Sequence, residues 1–118
     1  MKKNLGFSST RLSLIDRNVI WVTAHIRGGM ERGMKWWKEG KLLNKKNTFE
    51  DYIAVGKYLV EKKYTSKGKI IGMGGSAGGL LMGAVVNQIP ELFLGLIMAV
   101  PFVDSLTTNL DHSLPLTV

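Results

Sequence analysis

The 118-residue sequence contains no cysteine, which excludes a disulfide framework and a thiolate metal site. Histidine is scarce as well: His25 and His112 have no spacing typical of metal ligands, so we expect neither a metal nor a cofactor. No apolar run is long enough to cross a bilayer, since Asp16 and Arg17 interrupt the segment that follows the basic start at residues 1–3. We therefore predict a cytoplasmic protein with no membrane partner.

Acidic residues are also few, with 9 Asp and Glu against 16 Lys and Arg, which gives a formal net charge of +7. A basic chain can bind nucleic acid, and two tryptophans, Trp36 and Trp37, lie beside the first lysine cluster. No nucleic-acid-binding motif accompanies them, and lysines at helix ends and in loops are ordinarily solvated. We therefore expect no nucleic-acid partner.

Hydrophobic residues make up 45% of the chain and are grouped into segments typical of an α/β protein. Strands are predicted at 19–26, 69–73 and 95–100, and helices at 47–63 and 77–88. This order predicts a single small domain, 1–118, with a parallel sheet of three strands and flanking helices. Thr48 and Asp51 fit a capping box at the start of the first of these helices. His25, inside the first predicted strand, is expected to be a satisfied core histidine rather than a base.

A glycine-rich run at residues 74–79, with the sequence GGSAGG, lies between the second predicted strand and the helix at 77–88. Strand, sharp glycine turn and helix are the context of a nucleophile elbow, which exposes a serine hydroxyl at the tip of the strand. In such a turn Ser76 is the nucleophile, and the backbone N–H of Ala77 donates a hydrogen bond to the oxyanion. We expect side chains at Gly74 and Gly78 to collide with the neighbouring backbone.

Three other interpretations of this region remain open. A glycine turn can serve only the close packing of a strand and a helix. Residues 72–77 also satisfy G-x-G-x-x-A, a dinucleotide-binding pattern, although the nearest acidic residue after the next strand, Asp104, comes late. Ser76, Asp104 and His112 follow the order nucleophile, acid, base, but geometry rather than order defines a catalytic triad.

Six segments carry a set of motifs in a fixed order. They are HIRGGME at 25–31, GKLLNKKNTFED at 40–51, MGGSAGG at 73–79, NQIPELF at 87–93, VPFVD at 100–104 and SLPLT at 113–117. As a set, from about residue 7 to residue 117, these segments resemble the prolyl oligopeptidase family of serine peptidases, and within it the oligopeptidase B group.

The resemblance implies a partial α/β-hydrolase domain, with the family's β-propeller and C-terminal catalytic part absent. It implies a serine peptidase that hydrolyses short basic peptides after Lys or Arg, with Ser76 as nucleophile and Ala77 as an oxyanion donor. The family's catalytic acid and histidine follow beyond this chain, so we expect a fragment that is inactive alone. Three hypotheses stay open: a peptidase part completed by a second chain carrying the missing acid and histidine, a non-catalytic remnant, and an esterase-like hydrolase.

Overall fold

The computed structural model describes residues 7–114, which fall into two compact units. The first unit ends at Lys67 and the second begins at Gly68. The first is helical, whereas the second contains a parallel sheet with helices. The prediction of a single domain, 1–118, concerns how the two units combine, and it stays a prediction.

The described part of the first unit has three α-helices: α1 (Leu12–Ile15), α2 (Met34–Lys38) and α3 (Lys46–Glu61). The predicted helix at 47–63 is confirmed by α3. Its apolar residues recur at helical spacing on one partly buried face: Phe49, Tyr52, Ile53, Gly56, Leu59 and Val60. No helix within residues 7–114 is both long enough and apolar enough to cross a membrane.

The first predicted strand, at 19–26, is not a strand in the structure. The sheet formed by the described residues has two strands, and the segment at 19–26 lies outside it. Its apolar side chains are partly exposed, with Val19 at 44% and Ile20 at 61%. An apolar, β-branched run forms a strand only where a second strand pairs with its backbone, and this pairing is not a local property of the sequence. The predicted sheet of three strands is therefore corrected to two.

The second unit follows the predicted strand–helix–strand order. Its elements are β1 (Ile70–Gly75), α4 (Ala77–Gln88), β2 (Phe93–Ala99) and α5 (Ser105–Leu110). The strands are parallel and pair as far as Gly75 opposite Ala99. A parallel pair requires a crossover connection, and α4 provides it within the bounds that the sequence predicts.

The core of the second unit lies between α4 and one face of the sheet. Met82 and Val85 of α4 are fully buried, and Leu92 is 2% exposed. On the other face, the side chains of Ile71, Met73 and Ile97 are more than half exposed, at 58%, 57% and 51%. The end of β1, where the glycine-rich turn begins, is thus fixed against α4 from one side of the sheet.

Candidate active site

Ser76 occupies the single-residue turn between β1 and α4. Its backbone has φ 51° and ψ −117°, a positive-φ conformation that residues with a side chain rarely adopt. Its N–H donates a hydrogen bond to Ala99 O at 3.0 Å, and the residue is exposed. The chain therefore changes from strand to helix within one strained residue, which is the backbone geometry of a nucleophile elbow.

Gly74 makes this sharp turn possible. A Cβ atom at Gly74 would lie 2.5 Å from the carbonyl carbon of Gly78, so a side chain would displace the first turn of α4. Among the described residues, a Cβ atom at Gly78 would meet nothing within 4 Å, so the expectation that a side chain collides there is wrong. The contact between the two residues therefore requires glycine at position 74, because the Gly78 backbone occupies the space that a Gly74 side chain would need. It does not require glycine at position 78.

The N-terminus of α4 presents backbone N–H groups beside Ser76. The N–H groups of Gly79 and Leu80 donate to Ser76 O at 2.9 and 3.3 Å. Within the part of the chain that the structure describes, the N–H groups of Ala77 and Gly78 have no hydrogen-bond acceptor, as is usual in a first helical turn. Ala77 is also exposed. These two donors are therefore available to a negatively charged atom at this corner.

The acid and histidine that follow Ser76 in the sequence do not form a triad with it. Asp104 Oδ1 accepts the N–H of Thr107 at 3.1 Å and caps α5. Over residues 7–114, no hydrogen bond joins any two of Ser76, Asp104 and His112. The order nucleophile, acid, base in this chain therefore does not correspond to a catalytic geometry.

A second feature is the loop at residues 27–33 of the first unit, here called the Arg27 loop, which is bound to α3. The Arg27 guanidinium donates to both carboxylate oxygens of Asp51, at 2.8 and 2.6 Å, and the Arg27 N–H donates to the same carboxylate at 2.9 Å. The buried Thr48 hydroxyl donates to Arg27 O at 2.9 Å. The hydrogen bonds from Arg27 lower the pKa of Asp51, and the same pair raises the pKa of Arg27.

This pairing corrects the predicted capping box. Thr48 and Asp51 lie in the first two turns of α3, but both side chains bind the Arg27 loop instead of the helix N-terminus. The Arg27–Asp51 pair cannot be recognised from local sequence patterns because its members are 24 positions apart. The available signal was an arginine directly after an apolar run and an aspartate on the face of α3 that carries buried Thr48.

His25 is not a core residue. Its side chain is 36% exposed, and Nδ1 lies 3.6 Å from Glu31 Oε1. The prediction of a core histidine is wrong because it depended on a strand at 19–26 that the structure does not form. Within residues 7–114, no group of three or more His, Cys, Asp or Glu side chains is arranged to hold a metal ion.

Comparison with known proteins identifies relatives over nearly the whole chain. Residues 5–118 match the prolyl oligopeptidase family. The chain is 55% identical over 112 residues to dipeptidyl aminopeptidase BI from Pseudoxanthomonas mexicana, and 52% identical over 111 residues to protease 2 from Moraxella lacunata. These matches cover 95% and 94% of this chain but 16% of each relative. The chain thus spans about one-sixth of the length of these curated relatives.

Solved structures give the same result. Oligopeptidase B from Leishmania major is 47% identical, with a TM-score of 0.92 over 99% of this chain and 16% of that protein. Oligopeptidase B from Trypanosoma brucei, solved in a closed form with covalently bound antipain, is 48% identical, with a TM-score of 0.74 over 79% of this chain and 13% of that protein. The predicted fold class, part of an α/β-hydrolase domain, is therefore confirmed apart from its third strand.

Proposed function

The chain belongs to the prolyl oligopeptidase family, and from this membership we propose that it is the nucleophile-bearing segment of an oligopeptidase B-like serine peptidase. In this proposal Ser76 Oγ attacks the carbonyl carbon of the scissile peptide bond, and the Ala77 N–H stabilises the oxyanion that forms. The observation that carries the proposal is the strained, exposed Ser76 between β1 and α4. Beside it lies the Ala77 N–H, which has no acceptor among residues 7–114.

A serine hydroxyl is a weak nucleophile until a base takes its proton. Within residues 7–114, no histidine forms a hydrogen bond with Ser76, so the base and its orienting carboxylate come from a complementing chain in this proposal. Loss of the base alone costs about a millionfold in turnover in a serine peptidase. We therefore propose that the 118-residue chain is inactive when assayed alone.

The proposed substrates are short peptides cleaved after Lys or Arg, the class that the oligopeptidase B resemblance implies. The chain carries 16 basic and 9 acidic residues, so its own electrostatic field repels a basic substrate side chain. In this proposal the acidic groups that bind the basic side chain of the substrate also lie on the complementing chain. The segment then contributes chemistry at the carbonyl and little selectivity for the basic side chain.

A chimera tests the proposal directly. The matching segment of Moraxella lacunata protease 2 is replaced by this chain, and cleavage of Arg- and Lys-containing peptides is measured. We expect cleavage by the chimera and a loss of about 10⁴- to 10⁶-fold in Ser76→Ala. Ser66→Ala, which changes another exposed serine, is the matched control and retains activity. A folded Ser76→Ala chimera that cleaves as fast as its parent would contradict the proposal.

The same chimera separates the two alternative functions. Turnover of a nitrophenyl ester without peptide cleavage, lost in Ser76→Ala, favours an esterase-like hydrolase. A folded chimera that is inert towards both substrates favours a non-catalytic remnant. The cytoplasmic location and the absence of nucleic-acid and membrane partners stay predictions of the sequence.

A further inference from the structure

The backbone that ends β2 holds the Ser76 residue from two directions. Ser76 N–H donates to Ala99 O at 3.0 Å, and Phe102 N–H donates to Ser76 O at 3.1 Å. Since Ala99 lies opposite Gly75 in the strand pairing, the first bond extends the ladder by one step into the turn. The second bond returns to the same residue from beyond the end of β2. Both peptide groups of Ser76 are therefore fixed by one short segment of the neighbouring strand end.

This segment is itself strained. Val100, between the two bonding residues, has φ 43°. In the described part of the second unit, Ser76 and Val100 are the two residues other than glycine with positive φ. Positive φ is least favourable for a β-branched side chain, and it persists only where the surroundings over-determine the backbone. The two strained residues lie on adjacent strand ends, and the two hydrogen bonds join Ser76 to Ala99 and Phe102, on either side of Val100. The backbone at Val100 therefore sets where these two partners of Ser76 lie.

The segment is also anchored to the helix that follows Ser76. A Cβ atom on Gly79 would lie 2.5 Å from Pro101 Cα, so the proline packs directly against the first turn of α4. Gly79 is buried, and its N–H donates to Ser76 O at 2.9 Å. The carbonyl of Ser76 therefore joins α4 and the strand end at one point.

We propose that residues 99–102, here called the clasp, position Ser76 by fixing its backbone in the positive-φ conformation. In this role Val100 and Phe102 are positioning residues, since they act through the backbone of Ser76. The consequence for catalysis rests on the proposed function of Ser76. If the backbone of Ser76 relaxes, its hydroxyl leaves the position from which it attacks, while substrate-binding groups elsewhere are unchanged. We therefore expect kcat to fall and KM to stay the same.

Phe102 offers a matched pair of variants. Phe102→Pro removes the N–H that donates to Ser76 O, whereas Phe102→Ala removes the partly exposed ring and keeps the N–H. The first measurement is amide hydrogen exchange by NMR on the full 118-residue chain. In the parent chain we expect protected amides at Ser76 and Phe102 and a rapidly exchanging amide at Ala77. In Phe102→Pro the Ser76 amide exchanges about tenfold faster or more, and in Phe102→Ala it does not.

Two results would overturn the clasp. One is a Phe102 amide that exchanges at the unprotected rate in the parent chain. The other is a Ser76 amide whose protection is unchanged in Phe102→Pro. If Phe102→Pro also loses the protection of the β1–β2 ladder, the test is made on the parent chain alone. Equal opening rates for the Ser76 and Phe102 amides in the parent chain support the clasp. Opening rates that differ by more than about tenfold refute it.

The second measurement uses the protease 2 chimera. Phe102→Pro should lower kcat by about tenfold to a hundredfold while KM stays within about twofold of the parent value. Phe102→Ala, which keeps the N–H, should have the kcat of the parent chimera. Equal kcat in the two variants refutes the clasp and leaves the proposed function intact. An inactive parent chimera refutes the proposed function and leaves the exchange result to decide on the clasp.

Discussion

The two units of this chain fix their ordered loops by different kinds of contact. In the first unit, the Arg27 loop is bound to α3 by a charged pair with Asp51 and by the Thr48 hydroxyl. In the second unit, the Ser76 turn is bound by backbone hydrogen bonds and by α4, whose Met82 packs in an apolar core. The first loop therefore depends on a charged side-chain pair, whereas the second depends on backbone hydrogen bonds and close apolar packing.

Apolar side chains show the same difference. Those of residues 19–22 in the first unit are each more than a third exposed, whereas Met82 and Val85 in the second are completely buried. Apolar burial is the larger stabilising force in folded proteins, and exposed charged pairs contribute little. Substitutions in the core of the second unit should therefore cost the most.

The largest effect is expected for Met82→Ala. Met82 is 0% exposed between α4 and the sheet, so removal of its side chain should lower the free energy of unfolding by about 2–5 kcal/mol. Met73→Ala is the control, because Met73 is 57% exposed, and its change should stay within about 0.5 kcal/mol. Urea denaturation measures both. Equal losses would show that the buried face does not carry the stability of this unit.

The next largest effect is expected for Gly74→Ala. The added methyl overlaps the Gly78 backbone, so we expect a loss of about 1–3 kcal/mol of unfolding free energy. Gly78→Ala adds the same methyl in open space at a helical position, so it should be neutral or stabilising by up to about 1 kcal/mol. Urea denaturation of both variants measures the two changes in unfolding free energy and tests whether only position 74 requires glycine. The opposite ranking would contradict the described turn.

The charged pair of the first unit predicts a dependence on pH. Asp51→Asn should lower the unfolding free energy by about 1–2 kcal/mol at neutral pH, since the pair is hydrogen-bonded but partly solvated. Arg27 lowers the pKa of folded Asp51 below its ordinary value of 3.8. The stabilisation is therefore complete above that value and is lost as the pH falls through the lower, folded-state pKa.

Urea midpoints measured from neutral pH to about pH 2 test this prediction. The difference between the parent chain and Asp51→Asn should be constant above about pH 5 and shrink steadily below about pH 4. Asp16→Asn, in an exposed aspartate of the same unit, is the control and should have little effect at any pH. A stability difference between the parent chain and Asp51→Asn that grows as the pH falls would contradict the prediction.

The smallest effect concerns the strain in the clasp. Val100→Gly keeps the backbone and removes the penalty of a β-branched residue at φ 43°. The relief of strain exceeds the entropic cost of glycine, so we expect stabilisation by about 1 kcal/mol. Val103→Gly, at a valine without positive φ, should destabilise by about 0.5–1 kcal/mol. Thermal denaturation distinguishes the two signs, and a lower Tm in both would contradict the strain at Val100.

Much of the second unit could be predicted from local sequence signals. The helix α4 has the predicted bounds because Ser76 begins it after a glycine pair and Pro90 follows its end. The strands β1 and β2 differ from their predicted bounds by one or two residues at each end. The turn itself was predictable because a strained corner needs glycine beside it, and that requirement is visible in the sequence.

The errors in the predicted strand and the capping box arise where distant residues decide the structure. Whether residues 19–26 form a strand depends on a pairing partner, which an apolar pattern does not encode. Thr48 and Asp51 have capping-box spacing, but the loop at Arg27 takes both side chains. The clasp depends on φ at Val100, and no residue type there signals a positive value.

The nucleophilic role of Ser76 is tested most directly by covalent labelling of the protease 2 chimera with a fluorophosphonate, followed by mass spectrometry of its peptides. We expect one adduct, on the peptide that carries Ser76, and none in Ser76→Ala. A chimera that cleaves peptides but is labelled on a different serine, or keeps its label in Ser76→Ala, would contradict it.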